Sequence, residues 1–313
     1  MSKILYIDKP KGITSFDLCF KLRKVFNTKK IGHTGTLDPN ATGLMVCLID
    51  GASKTNQFLV SANKEYIATV KLGIRTDSED IDGNVLEEKE EVMPSSDLIV
   101  ETLKSFIGKS EQIPPMASAI KVNGKKLYEY MRNNETVELK PRPIEVFSIE
   151  LLDVADNTFT ISCKVTSGTY IRTLVQDILK KLGVIGTLSD LRRTAIDDIS
   201  LDEADTLEEV LNGDYHAHSI YEVLSKYYEV YVAGDAKAIK DGKPLKYHSE
   251  ANEILCVDSD NTALAIYRKE NGVYRCVRGL LWFLCIILRI MFKYLVISLV
   301  LAVLMGFIEV IKN

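Results

Sequence analysis

The chain has 313 residues, 46% of them apolar and 26% charged, with 18 Gly and 8 Pro; this excludes collagen-like, disulfide-scaffold and wholly disordered classes and allows two domains, or one large domain with an appendage. Its six cysteines, Cys19, Cys47, Cys163, Cys256, Cys276 and Cys285, form no C-x-x-C pair, and His216 and His218 lack a ligand set at metal spacing, so no structural metal is expected. A net charge of −4 speaks against a nucleic-acid partner only until it is divided: residues 77–101 carry −9 and 195–214 carry −8, which leaves +13 elsewhere, including +6 on residues 1–37.

In chain order, residues 3–8 read as a short apolar strand, and the Lys3 and Lys9 around it leave no secretory signal, so a cytoplasmic domain is expected. Thr14 or Ser15 can cap a helix running to about Phe26, with Phe16, Leu18, Cys19, Leu22 and Val25 as its apolar residues. Residues 64–73 alternate, putting Tyr66, Ala68, Val70 and Leu72 on one face, and residues 158–165 alternate likewise through Phe159, Ile161, Cys163 and Val165. These are half-buried strands. Thr169 can cap a helix from Tyr170 to about Leu182 that stops at Gly183. Strands and helices therefore interleave, which predicts an α+β fold on a mixed, largely antiparallel central sheet flanked by helices. Beyond the second acidic stretch, residues 228–284 alternate short apolar runs with turns such as Asp241-Gly242 and Asn271-Gly272, the pattern of a small β module.

The end of the chain has another character. From Leu280 to Asn313, 27 of 34 residues are apolar, with an uncharged run from Tyr294 to Ile308. As a helix that run spans about 22 Å at 1.5 Å per residue, short of the roughly 30 Å hydrocarbon core. Extension to Ile311, with Lys293 and Glu309 snorkelling, brings it near a tail anchor, and Arg275, Arg278, Arg289 and Lys293 ahead of it would keep the preceding domain cytosolic. A helix lying on the interface fits equally well.

The densest chemical signal is Gly32-His33-Thr34-Gly35-Thr36-Leu37-Asp38-Pro39, followed by Ala41-Thr42-Gly43. The glycines permit close approach of a ligand, and Pro39 restricts the backbone of Asp38, so one carboxylate is presented on a stiff loop. Alone, an Asp-Pro pair is an ordinary turn. Its context is not ordinary: the octet resembles the signature of the TruB-type tRNA pseudouridine synthases. So do Lys9-Pro10-x-Gly12-x-Thr14-Ser15, Lys64-x-Tyr66 leading to Leu72-Gly73-x-x-Thr76-Asp77-x-x-Asp80, and Pro114-Pro115-x-x-Ser118-Ala119-x-Lys121-x-x-Gly124 with Tyr128 after it. Ser167-Gly168-Thr169-Tyr170-Ile171-Arg172-Thr173 and Leu191-Arg192-Arg193-Thr194 complete the set, which spans residues 9–194 in family order.

The resemblance implies a cofactor-free, metal-free isomerase that turns the T-loop uridine of tRNA into pseudouridine, on a fold of pseudouridine synthase type. The bond from ribose to N1 must break, the uracil must turn while bound, and C5 must be joined instead. A carboxylate can attack, or stabilise, the cationic anomeric carbon; Asp38 is that group. Arg172 is the candidate guanidinium beside it, lowering its pKa and fixing its orientation; the other partner for Arg172, Asp177, stands five residues on, a poor helical spacing. Tyr66 offers a ring to stack on the base and a phenol to move a proton, although a strand tyrosine on an apolar face is often plain core. By the resemblance Tyr170 and Leu191 line the base pocket, His33 slides into the RNA loop that the base has left, and Lys9 and Pro10 brace the nucleophile loop. Flipping the base costs a few kcal/mol, to be offset by cationic contacts from Lys121, Lys125 and Lys126 and from the basic first helix.

The expected organisation is a catalytic domain over residues 1–225 with an RNA-gripping insertion near 112–142, a PUA-like β module over 226–284, and a hydrophobic helix over 285–313. A monomer acting on the tRNA T-arm is expected, with the tail as a possible membrane tether. The sequence departs from the family pattern at Ala117, where an aromatic is usual, at Thr187, where histidine is common, and at Asp197-Asp198, where Gly-Pro often follows. None of these touches Asp38, Tyr66 or Arg172. Rival readings are a guide-RNA-dependent synthase, disfavoured by the lack of a basic N-terminal extension, and a non-catalytic tRNA-binding or folding module, disfavoured by the complete trio.

Overall fold

Alternating apolar residues build one large sheet. In the computed structural model, which describes residues 2–133 and 135–281, the chain divides into two compact units, Met1–His218 and a second that opens at Ser219. The first unit begins with β1 (Lys3–Lys9), α1 (Ser15–Val25), β2 (Ile31–His33), β3 (Thr42–Ile49), α2 (Asn56–Leu59) and β4 (Lys64–Leu72). It continues through β5 (Ile74–Thr76), β6 (Val85–Glu88), α3 (Ser96–Lys104), β7 (Gly108–Gln112), β8 (Lys121–Val122), β9 (Lys125–Lys126) and α4 (Leu127–Arg132). It closes with β10 (Arg142–Ala155), β11 (Thr158–Val165), α5 (Ile171–Leu182), β12 (Gly186–Ile196), β13 (Ile199–Ser200), β14 (Asp205–Thr206) and α6 (Leu207–Asn212).

The main sheet runs β14-β1-β3-β12-β4-β11-β10-β7, with β2 paired to β3 and β13 to β12. Only the β1/β14 and β3/β12 pairs are parallel, so the sheet is mixed and largely antiparallel as expected. In β4 the residues Tyr66, Ala68, Val70 and Leu72 are all buried, as its period-2 pattern requires. They join Leu18 and Leu22 of α1, Ile99 and Leu103 of α3, Leu174 and Ile178 of α5 and Val210 of α6 in one core. The helices thus cover the face that carries Tyr66. Gly43 is required where β3 meets β12: its φ is +103°, and a Cβ there would lie 2.2 Å from the Arg193 carbonyl oxygen.

Two local expectations resolve in instructive ways. Thr14, rather than Ser15, caps α1, with its hydroxyl bonded to Asp17 in a capping box; Ser15 is left available to hold a neighbouring loop. Phe16 of the same helix is 62% exposed although it belongs to the apolar set. Thr169 does not cap α5. The N-cap is Tyr170, whose backbone N–H and carbonyl both bond to the Gln112 side chain at 2.8 and 3.1 Å, a contact from a strand 58 residues away that local pattern cannot show. Gly183 ends the helix at φ +75°, as expected.

The second unit comprises α7 (Ile220–Leu224), β15 (Glu229–Val232), α8 (Ala236–Lys240), β16 (Glu253–Val257), β17 (Ala263–Glu270) and β18 (Val273–Gly279). Its sheet runs β15-β16-β17-β18, and Asn271 and Gly272, both at positive φ, make the β17–β18 turn. Ile254, Cys256, Leu264, Tyr267 and Tyr274 form its core. Among the described residues no helix is long and apolar enough to cross a membrane. The hydrophobic helix expected over 285–313 lies outside the described residues.

Candidate active site

The Asp38 loop joins β2 to β3 and is clamped from several directions. Lys9, fully buried, donates from Nζ to the carbonyls of Pro10, Ile13 and Pro39 at 2.8 to 2.9 Å. The Pro39 carbonyl also accepts from Gly12 N–H at 2.9 Å. Ser15 clasps Leu37 twice, accepting from its N–H at 2.9 Å and donating to its carbonyl at 3.0 Å. Burial pushes the Lys9 amine down to about 8, against the Asp38 charge that raises it and with Arg193 adding to the fall.

Asp38 meets Arg172 at the mouth of a pocket of about 870 Å³. Arg172 Nε lies 3.0 Å from Asp38 Oδ2, and Nη2 donates to Oδ1 at 3.2 Å. The remaining guanidinium donors are spent on carbonyls, Nη1 on Ser78 at 2.9 Å and Nη2 also on Ala117 at 3.0 Å. Arg172 is only 5% exposed, so its fork is fixed in one orientation. Its neighbour Thr173 ties Glu79 at 2.9 Å, and Asp80 stands 3.8 Å from Arg172 Nε. The expectation that Arg172 lowers the Asp38 pKa holds for the pair but not for the sum: burial raises the carboxyl most, Asp80 adds to the rise, and Arg172 opposes both. Asp38 keeps 41% of its side-chain surface open and lines the pocket.

Tyr66 forms the pocket's inner wall, 7% exposed. Burial raises its phenol above the usual value, while the Arg193 charge pulls the other way. His33, Tyr170 and Leu191 line the same pocket. Burial and the Arg193 charge lower the His33 pKa, which favours the neutral ring. The pairing of Arg172 with Asp177 is not formed; Arg172 turns inward to Asp38 instead. Of the three candidate RNA-contact lysines, Lys126 lines the pocket beside Tyr128, to whose hydroxyl it donates at 3.2 Å. Lys125 and Lys121 do not line it. Lys125 is drawn to Glu135 at 2.7 and 2.8 Å, and Lys121 is exposed on the β8/β9 hairpin. Pro10 contributes a carbonyl to Lys9, so the bracing comes from the lysine.

Three residues of the site carry no assigned role in the sequence reading, although all stand in the quoted motifs. Asp80 bears on Arg172. Lys64, 6% exposed, donates to the Ala62 carbonyl at 2.7 Å and Ser167 at 3.2 Å and is pushed down to about 8 by burial. Arg193 is fully buried. Only strand register reveals the last: Arg193 on β12 stands directly opposite Tyr66 on β4.

Residues 23–171 match the family model described as TruB family pseudouridylate synthase, N-terminal domain. The chain is 48% identical to tRNA pseudouridine synthase B of Alkaliphilus oremlandii over 210 residues, 67% of this chain and 70% of that protein. It is 35% identical to the protein of the same name from Mesoplasma florum over 281 residues, 89% of this chain and 98% of that one. Among solved structures, a chain of a Cbf5-Nop10-Gar1 complex superposes with a TM-score of 0.67 at 21% identity, over 89% of this chain and 85% of that chain, a likeness of fold. The order of the motifs, the sheet that brings them together and these relatives agree: the chain belongs to the TruB family of pseudouridylate synthases.

Proposed function

We propose that this protein isomerises a uridine of tRNA, the one in the T-loop, to pseudouridine, with Asp38, Tyr66 and Arg172 as its catalytic residues. The names of the relatives support the substrate. The observation that carries the chemistry is the Asp38 carboxylate, gripped by a buried arginine at 3.0 and 3.2 Å and open to a pocket walled by Tyr66.

A stacked uridine is out of reach of such a pocket, so the base must be flipped into it. The N1–C1′ bond breaks with its electron pair remaining on the uracil, and the Asp38 carboxylate faces the positive charge that develops at C1′. The uracil, held against Tyr66, turns so that C5 bonds to C1′. The C5 proton then leaves to the Tyr66 oxygen, its electron pair restores the C5=C6 bond, and N1 takes up a proton, so the overall change is an isomerisation. Arg172 holds the carboxylate in one orientation throughout. Tyr170 and Leu191 border the base, His33 stands at the rim for the vacated RNA stack, and Lys126 with Lys121 and Lys125 faces the phosphates. The second unit, as a PUA-like module, grips the tRNA away from the loop. A single chain in the cytosol suffices for this reaction.

Incubating an unmodified tRNA transcript with the full chain, and mapping pseudouridine by position, tests the reading. Asp38→Asn is expected to abolish product while tRNA affinity stays within about tenfold, roughly 1.4 kcal/mol. Conversion above about one per cent of wild type by that variant would remove Asp38 from the reaction.

A further inference from the structure

Arg193 is a buried cation that, among the described residues, has no acidic partner. Its side chain is wholly out of contact with solvent, yet among the described residues no carboxylate pairs with it. Nε donates to the Leu44 carbonyl at 2.7 Å and Nη2 to the Gly35 carbonyl at 3.1 Å. Nη1 has no hydrogen-bond partner. A charge without a counter-ion in such a position is costly, and two neutral carbonyls offset only part of that cost, so a function is to be sought for the third nitrogen.

The geometry points to Arg193 as a positioning residue for Tyr66: its free Nη1 serves as donor to the Tyr66 oxygen, favouring the ionised form that accepts the C5 proton. Three observations converge. First, Arg193 and Tyr66 are directly opposed across the antiparallel β12/β4 pair, so their side chains leave the sheet on the same face with Cβ atoms about 5 Å apart. Second, both line the same pocket, and the Leu44 and Gly35 carbonyls hold the guanidinium there. The backbone at Arg193 is pressed against Gly43, and Gly35 stands where a Cβ would meet Nη1 at 3.3 Å. Third, the groups around this pair are cationic or neutral. Lys9 from β1, Lys64 from β4 and His33 from β2 all feel the Arg193 charge as a repulsion. Cys47 from β3, whose thiol pKa is raised by its hydrogen bond with Cys19 and by burial, and Cys163 from β11, raised by burial, complete the surroundings. Asp38 is the one carboxylate that bears on Tyr66, and it opposes ionisation. In this setting the phenolate is the anion that neutralises Arg193, and it forms when the reaction calls for a base.

In the step concerned, the C5–H bond breaks, the proton goes to the phenolate oxygen and the electron pair goes into the C5=C6 bond. The displaced electrons of the ring come to rest on N1, which takes its proton from the phenol so formed or from water. No oxidant or cofactor enters. The inference rests on the proposed reaction, and its test must separate the two.

Single-turnover conversion of a tRNA transcript is to be measured against pH for wild type, Arg193→Lys, Tyr66→Phe and the double variant, with urea unfolding as a control on folding. Tyr66→Phe should lose roughly 10²-fold or more, as for loss of an acid/base group. Arg193→Lys, which keeps the charge but not the fork, should slow wild type by about tenfold and change the Tyr66→Phe background by less than about twofold, the non-additivity of residues that act as a unit. An equal fold loss in both backgrounds would mean that Arg193 only supports the fold, and would overturn the proposal. A second measurement does not need turnover. The phenolate absorbance that distinguishes wild type from Tyr66→Phe, titrated with and without Arg193→Met, should move to higher pH by about a unit or more when the charge is removed, since an opposite charge favours ionisation. A Tyr66 titration that stays in place refutes the coupling even if the substrate proves to be different, whereas a shifted titration without pseudouridine in wild type would leave the coupling standing and refute the reaction.

Discussion

The Asp38 loop and the segment from Pro114 to Glu135 face the same pocket and are held in opposite ways. Apart from one internal bond, Ala41 N–H to the Asp38 carbonyl, the loop is clamped from elsewhere in the chain: by Lys9 from β1, Gly12 from the turn after it, Ser15 from α1, Val46 from the sheet and Arg172 from α5. The 114–135 segment is stitched mostly to itself. Tyr128 N–H bonds to the Ser118 carbonyl at 3.1 Å, Leu127 to Ile120 at 2.9 Å and Tyr130 Oη to Val122 at 3.1 Å, while Lys125 pairs with Glu135. Its two strands are two residues each, and within α4 Leu127 alone is buried. The loop is held in place by the fold itself, as the carboxylate role proposed for Asp38 requires, whereas a locally stitched hairpin can shift as one piece, as the proposed RNA contact would need.

The largest test of this contrast removes the clamp without touching the pocket. Lys9→Met keeps the stem but leaves the Pro10 and Ile13 carbonyls without their donor and the Pro39 carbonyl with Gly12 N–H alone. Charge-assisted hydrogen bonds of this kind contribute about 1.5–3 kcal/mol each and are not additive, so the variant should lose about 2–4 kcal/mol in urea unfolding. Turnover should fall by at least about tenfold, because a misplacement of 1 Å at the reacting group costs about 10²-fold, with tRNA affinity nearly unchanged. A stable, fully active Lys9→Met protein would show that the loop is held by its other clamps without the lysine.

A second test uses pH. Burial and Asp80 raise the Asp38 pKa above the usual aspartate value, and the proposed reaction needs the ionised form. The rate should therefore fall on the acid side at a higher pH than an ordinary aspartate would give. Asp80→Asn removes a negative charge near Asp38 and so should move that acid limb to lower pH, while weakening the hold on Arg172. An acid limb that moves up, or does not move, assigns it to another group.

The two regions also differ in how far they could be read from sequence. Asp38, Tyr66 and Arg172 lie in compact motifs, and the β4 alternation already placed Tyr66 on the inner face. The clamps are equally visible as residues, since Lys9 and Ser15 stand in the first motif, but their target, a carbonyl or N–H across the pocket, is a tertiary fact. Arg193 needed the β12/β4 register. The Tyr170 cap needed Gln112, which lies in no motif. For Lys121, Lys125 and Lys126 only their charge is legible in the sequence, and charge does not say which of three neighbours looks inward.

That last distinction yields the smallest effects. Lys126 lines the pocket, and its Nζ lies 5.2 Å from the centre of the Tyr128 ring; among the described residues no acid pairs with that amine, so it is open to a phosphate. Lys126→Ala should weaken tRNA binding and lower the magnitude of the slope of log K against log salt by about 0.7, the share of one phosphate contact on a single strand. Lys125 is already committed to Glu135 on an exposed surface, and such pairs contribute little to stability. Lys125→Ala should leave turnover and the salt slope within measurement error, and its expected effect on binding is under about twofold, a few tenths of a kcal/mol. If instead Lys125→Ala reduces the slope as much as Lys126→Ala does, the Glu135 pair must open when RNA binds, and the hairpin then meets its substrate with both amines, which is the adaptability that its local stitching permits.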